Sequence, residues 1–215
     1  MNRRDSLKRI GRIVDELGLA SKGWIVFGSA PDPLLPTSLT GRYARVDINN
    51  AGRTAQELGL GPADLTIRTK KKSWSEHPTL DTKALIWIHT IPAPMLRLLL
   101  LTKPHRSIGR VAKFTKAERD ALVETVSGVR LENVGPWDKV SNGVAAACLG
   151  LHFGVPEIVL SGISLSKAGH SYNQLGRTRY QVDEDRAVLS ALSKDPRLAT
   201  SEPDLAGDLG LRLVS

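Results

Sequence analysis

The chain has 215 residues, 41% of them hydrophobic and 24% charged, enough for one sizeable core and marginal for two. Its one cysteine, Cys148, excludes an intrachain disulfide and a multi-thiolate zinc site, and fits a reducing compartment. A net charge of +8 favours anionic partners, among them nucleotides, nucleic acids and anionic lipid surfaces, without choosing between them.

In chain order, residues 1–20 predict an N-terminal helix, with Leu7, Ile10, Ile13, Val14 and Leu17 at helical spacing, Asp5 as N-cap and Gly18 near its end. Charges interrupt every apolar run there before a secretory signal could form, which points to a cytoplasmic protein. Trp24 to Phe27 predicts a buried strand that stops at Gly28-Ser29-Ala30-Pro31. Ala44 to Ile48, Asp64 to Thr69, Lys83 to His89, Ile108 to Phe114 and Glu157 to Leu160 predict further strands, with a short one in the tail. Helices are expected from Gly52 to Leu58, Pro94 to Leu101, Lys116 to Val126, Ser141 to Phe153, Asp183 to Leu192 and from Pro203. The apolar run Ile91 to Leu101 is about half of the roughly 20 residues a membrane span needs, and Arg97 interrupts it. Alternating strands and helices predict a single Rossmann-like α/β domain over 1–215, its largely parallel sheet covered by helices on both faces.

In such sheets ligands bind in loops at the carboxyl ends of strands. Three loops here are polar and contain glycine. Gly28-Ser29-Ala30-Pro31 lets the backbone approach a ligand, and a following helix would aim N–H groups at phosphate, although neither GxGxxG nor a P-loop is present. Asn49-Asn50 can bond a base, ribose or phosphate, or satisfy its own turn. Residues 162–181 form a long loop from Gly162 with His170, Ser171, Tyr172, Asn173, Arg177, Arg179 and Tyr180, the composition of a lid or binding loop. Lys70, Lys71 and Lys72 with Trp74 could touch phosphates or nucleic acid, but a charge run is more often a solvated face. His152 reads as a packed histidine, and His89 as a loop residue or one pointing into the site. Asp183, Glu184 and Asp185 suit a helix N-terminus and lack metal-ligand spacing, so no metal is assigned.

The order of these loops resembles the bacterial lipooligosaccharide sialyltransferases and, more distantly, pterin diphosphokinase-like domains. Gly28-Ser29-Ala30-Pro31 is similar to that family's Gly-x-Gly-Pro-Ser loop, and Asn49-Asn50 stands where its Cys-Asn-Gln contacts a cytidine nucleotide. Ser141-Asn142-Gly143-Val144 is similar to its Ser-Gly-Val at the head of an apolar helix. Pro156 to Ile163 (PEIVLSGI) is similar to its Lys-Glu-Ile-Tyr-Leu-Ser-Gly-Ile segment and is the most specific match. The resemblance runs from about Gly23 to the C-terminus, with a poorly matched middle.

That resemblance implies an inverting, metal-independent transfer of a sugar from a cytidine-monophosphate donor to an acceptor hydroxyl, with no separate cofactor. A histidine base and two phosphate-assisting tyrosines do this in the family. Tyr172 matches the second tyrosine, Ser166 replaces the first, and Tyr180 falls at the base position. A tyrosine is a poor base at neutral pH unless a cation stabilises its phenolate, which makes His170 the substitute base. Arg177 and Arg179 could serve Tyr180 in that way, or clamp phosphate or a donor carboxylate. Gly28, Ser29, Ala30, Pro31, Asn49, Asn50, Ser141, Asn142, Gly143 and Gly162 are the expected nucleotide-binding set. The expected partners are a nucleotide-sugar donor and an anionic glycan or glycolipid acceptor, with peripheral attachment to the inner membrane face inferred from charge and nucleic acid less favoured. Two alternatives stay open: a pterin-type diphosphokinase using Asp32, Asp47 and Asp64 around magnesium, or a non-catalytic nucleotide- or nucleic-acid-binding module.

Overall fold

A computed structural model describes residues 3–69, 74–102, 108–172 and 180–215. Eight strands form one sheet: β1 (Trp24–Phe27), β2 (Ala44–Ile48), β3 (Leu65–Thr69), β4 (Ala84–Ile88), β5 (Arg110–Phe114), β6 (Ile158–Ser161), β7 (Leu198–Thr200) and β8 (Arg212–Leu213). Their order is β5-β4-β3-β2-β1-β6-β7-β8, and every pairing is parallel. Seven helices connect them among the described residues: α1 (Arg3–Glu16), α2 (Gly52–Glu57), α3 (Ala93–Leu101), α4 (Lys116–Ser127), α5 (Asn142–His152), α6 (Val182–Leu192) and α7 (Pro203–Leu209).

Strand residues alternate between two cores. Trp24, Val26, Val46, Leu65, Ile67, Ile86, Ala112, Phe114, Ile158 and Leu160 face α1, α4, α5 and α6. Their neighbours Leu85, Trp87 and Val111 pack under Leu96 and Leu100 of α3, while Ile25, Val159 and Ala199 meet Leu39 of the segment before β2. With a layer on each face, a strand has no solvated side, so β1, β4 and β6 read as continuous apolar runs. α5 is buried along nearly its whole length, because it lies centrally against β1 and β6 while α4 covers its outer side.

The predicted fold class holds, with two local corrections, at Asp5 and His152, and one detail in the β1 loop. Asp5 lies inside α1 rather than capping it, because the helix starts two residues earlier. No α-helix follows the β1 loop; the chain makes a single 3-10 turn at Thr37–Leu39 instead. His152 is an exposed residue in the last turn of α5, its ring edge-on to Phe153, and is not packed in the core.

Candidate functional site

Connections after β1 run towards β2, and those after β6 run the other way towards β7, so the strand order reverses between β1 and β6. Such a reversal opens a crevice at the carboxyl ends of the two strands. Here its floor is drawn tight. Gly28 N–H donates to Ser161 O (2.7 Å) and Ala30 N–H to Gly162 O (2.8 Å). A β-carbon on Gly28 would overlap the Gly162 carbonyl, and Gly162 itself has φ +62°. The two glycines are therefore required by this contact. The N–H groups of Gly28 and Ala30 are already used within the protein, and the polar groups of the site lie above them.

Ser29 is the first of these. Its carbonyl accepts from Ser171 N–H (2.9 Å), and its hydroxyl lies 3.0 Å from His170 Nδ1. The His170 ring stacks on Tyr172, centroids 5.1 Å apart and planes 7° from parallel. Ser171 Oγ meets Thr54 Oγ1 of α2 at 2.7 Å. These contacts fix the described part of the long loop, up to Tyr172, over β1 and α2.

The opposite wall comes from β2, β3 and α5. Asn49 takes a left-handed conformation (φ 56°) that asparagine tolerates, and its Oδ1 accepts from Thr69 N–H and from Asn142 Nδ2, both at 3.1 Å. Asn142 Oδ1 in turn accepts from Arg119 (3.0 Å). Ser141 caps α5 by accepting from Val144 N–H, and Ser141 N–H donates to Asp185 (2.6 Å). Asn50 is fully buried between Arg68, which donates to its Oδ1, and Glu76, which accepts from its Nδ2 at 2.6 Å. The Arg68 guanidinium, also fully buried, lies 4.6 Å from the Trp74 ring centroid. Burial lowers it to about 10, with Glu76 and Tyr172 holding it up, so it stays charged at neutral pH.

Asp47, at the end of β2, bonds Arg45 Nε at 2.9 Å, and its Oδ2 lies with His77 Nε2 within 3 Å of the point where a Gly52 β-carbon would stand. Burial pushes its carboxyl up to about 6, Arg45 pulls it down and Asp64 pushes it up again. Behind the crevice, buried Glu202 accepts from Leu34 N–H (2.9 Å) and Gly162 N–H (2.8 Å) and pairs with Lys167 (3.0 Å).

No protein-family model and no curated protein matches the chain. Solved structures do. The sialyltransferase CstII of Campylobacter jejuni in complex with the substrate analogue CMP-3FNeuAc aligns over 90% of this chain and 86% of its own, with 12% identity and a TM-score of 0.55. The monofunctional α-2,3-sialyltransferase Cst-I of the same organism aligns over 91% and 81%, with 12% identity and a TM-score of 0.57. A CST-II complex with a trisaccharide acceptor and CMP aligns over 90% and 86%, with 13% identity and a TM-score of 0.55. The chain has the sialyltransferase fold.

On this sialyltransferase-like fold, the expected residues Gly28, Ser29, Ala30, Asn49, Asn50, Asn142, Gly162, His170 and Tyr172 sit on the carboxyl-end loops of β1, β2 and β6 and the head of α5. Ser141 is occupied as a helix cap, and Gly143 packs close to Ile163. Ser166 is turned to Asp204 of α7 (2.7 Å). Tyr180 is exposed, and its ring contact is with Trp137. Arg177, Arg179, Asn173 and Lys70 to Lys72 lie outside the described residues. His89 accepts from Ile91 N–H through Nδ1 and stands edge-on to Trp87, a loop-shaping role. Asp47 and Asp64 are paired with Arg45 and Lys83, and among the described residues no three acidic, histidine or cysteine side chains converge. Sequence reasoning missed Arg68, Glu76, Arg119 and Glu202. The available signal was Arg68 itself, the one charge in the strand LTIRT.

Proposed function

We propose that the chain is a sialyltransferase-like glycosyltransferase that uses a CMP-linked donor, such as a CMP-ulosonic acid, and a glycan or glycolipid acceptor. The observation that carries this reading is the meeting of Ser29, His170 and Tyr172 above the β1–β6 reversal, on a fold otherwise met in CMP-bound sialyltransferases. In the tautomer where Nδ1–H of His170 donates to Ser29 Oγ, Nε2 holds the lone pair that takes the acceptor's proton. The acceptor oxygen attacks the anomeric carbon from the face opposite the leaving group. The bond from that carbon to the phosphate oxygen breaks, CMP leaves with the electron pair, and configuration inverts. In this reading Tyr172 donates to the departing phosphate, whose charge the first-turn N–H groups of α5 and the buried Arg68 also favour. The reading needs no metal and no cofactor beyond the donor.

Calorimetric titration with CMP, UMP, GDP and ATP, with and without magnesium, tests it. Selective binding of CMP without magnesium, weakened about tenfold in Asn49→Gly, is expected. Glycine keeps the left-handed backbone while removing the amide. Magnesium-dependent ATP binding with no CMP binding would instead establish a diphosphokinase.

Peripheral attachment to an anionic membrane is part of the proposal. No helix among the described residues is long and apolar enough to cross a membrane. On α3, however, Met95, Leu98 and Leu101 are 54–63% exposed along one face. Arg97 of the same helix lies near Arg9 and Arg12 of α1, and burial and the other two cations lower Arg9. Exposed leucines on a helix that also carries Arg97 of this basic cluster suit anionic headgroups and oppose pairing with a second, equally basic copy. Sedimentation with phosphatidylglycerol-containing vesicles, lost in Leu98→Ser with Leu101→Ser and absent for phosphatidylcholine alone, is the expected result. Sedimentation unchanged by those substitutions would refute this part.

A further inference from the structure

Trp137 and Tyr180 are large aromatic residues that the fold leaves in solvent, 38% and 60% exposed. Their rings touch, with centroids 5.0 Å apart and planes tilted by 49°, forming a shallow angled platform. The Lys139 ammonium lies 4.9 Å from the Trp137 ring centroid. An exposed tryptophan on a loose loop would carry little meaning, but this loop is held from inside. Glu184, fully buried in the first turn of α6, accepts from Trp137 N–H at 2.7 Å. The next residue, Asp185, accepts from Ser141 N–H at 2.6 Å. Gly135 lies so close to Glu184 that a β-carbon there would come within 2.8 Å of the carboxyl. Burying two carboxylates is costly unless they are well bonded. Here one oxygen of each bonds a backbone N–H of the loop that carries the exposed Trp137 and Asp138, while Val140 of the same loop anchors in the core. The loop runs directly into Ser141 and Asn142, the head of α5, where Asn142 bonds Asn49. The platform is therefore tied, through this loop and the head of α5, to the wall of the candidate site.

We propose that Trp137 and Tyr180 form a carbohydrate-stacking subsite that receives a pyranose ring of the acceptor, with Lys139 favouring an anionic sugar. The apolar C–H face of a pyranose matches an aromatic face, and the two touching rings together offer more such face than either alone. Aromatic side chains give large contact area at low entropy cost, and Lys139 supplies the charge complementarity. This proposal rests on the glycosyltransferase reading but fails separately from it. The test is a glycan array probed with the labelled full-length protein, with CMP titration run in parallel.

Wild type is expected to bind a discrete group of glycans enriched in anionic members. Trp137→Ala and Tyr180→Ala should each weaken them at least tenfold, while Trp137→Phe retains most of the signal and CMP affinity stays unchanged in all three. If wild type binds no glycan, or the alanine variants bind the same glycans equally, the subsite is overturned even where CMP binds. Glycan binding lost in Trp137→Ala by a protein that does not bind CMP would keep the subsite and overturn the transferase.

Discussion

Asp47→Asn separates a buried charge from its surroundings in a way pH can read. Asp47 is 1% exposed, and burial raises its carboxyl from the ordinary 3.8 to about 6 in spite of Arg45. A folded-state value above the unfolded one means the native protein binds the extra proton. That stabilisation is fully present below about pH 4 and is lost as pH rises through about 6. The two-unit shift corresponds to about 3 kcal/mol in full, of which about 2 kcal/mol falls between pH 4.5 and 8. Asparagine mimics the protonated form and does not titrate. Urea unfolding of both proteins, followed by tryptophan fluorescence at several pH values, gives the stability difference directly. Losses at Arg45 that do not depend on pH cancel when the difference at pH 4.5 is subtracted from that at pH 8. Asp47→Asn should gain about 2 kcal/mol on wild type over this range. A difference that stays flat, or moves the other way, would show that Arg45 holds Asp47 ionised and would refute the reasoning.

Other perturbations follow from the same contacts. His170→Ala should lower kcat by about 10² to 10⁴ with CMP affinity little changed, and Ser29→Ala should cost less and shift the pH–rate profile through loss of the Nδ1 partner; equal binding and turnover in His170→Ala would remove it as base. Glu202→Ala should destabilise the fold by about 3 kcal/mol, because Leu34 N–H and Gly162 N–H lose a buried acceptor, and a melting temperature unchanged within error would contradict this. Gly28→Ala should reduce soluble yield or stability by forcing Gly28 away from Gly162, and a wild-type melting curve would show that the contact can yield.

The architecture was legible because its signals are local. WIVF at Trp24–Phe27 and ALIWI at Ala84–Ile88 are apolar runs of strand length, rich in β-branched and aromatic residues, as a strand covered on both faces requires. Ser141 before the apolar α5 is a helix start that needs no tertiary information. The long loop was legible as polar, and glycine marked its entry at Gly162. Pairings across the fold were not legible. Ser29 and His170 meet across 141 residues, Asn49 and Asn142 across 93, and Trp137 and Glu184 across 47. Periodicity carries no trace of such meetings. The close junction of the β1 and β6 loops was not legible either: Gly28 and Ala30 N–H bond Ser161 O and Gly162 O across more than 130 residues.

The two asparagines, alike in sequence, separate in the structure, and that difference can be measured. Asn50 has no exposed surface; its oxygen serves Arg68 and its nitrogen serves Glu76. Removing it leaves a buried guanidinium short of an acceptor and a carboxylate short of a donor. Hydrogen bonds to charged groups are worth about 1.5–3 kcal/mol each, so Asn50→Ala should destabilise the protein by about 3 kcal/mol. Any loss of ligand affinity would then come through displacement of Arg68 and Trp74. Asn49 is only partly buried, and its oxygen bonds the neutral groups Thr69 N–H and Asn142 Nδ2. Asn49→Gly should therefore cost about 1 kcal/mol in stability while weakening CMP binding about tenfold. Paired unfolding and titration experiments on both variants decide the matter. If Asn50→Ala melts like wild type and alone abolishes CMP binding, Asn50 contacts the ligand directly, and Arg68 and Glu76 must release it when the ligand enters.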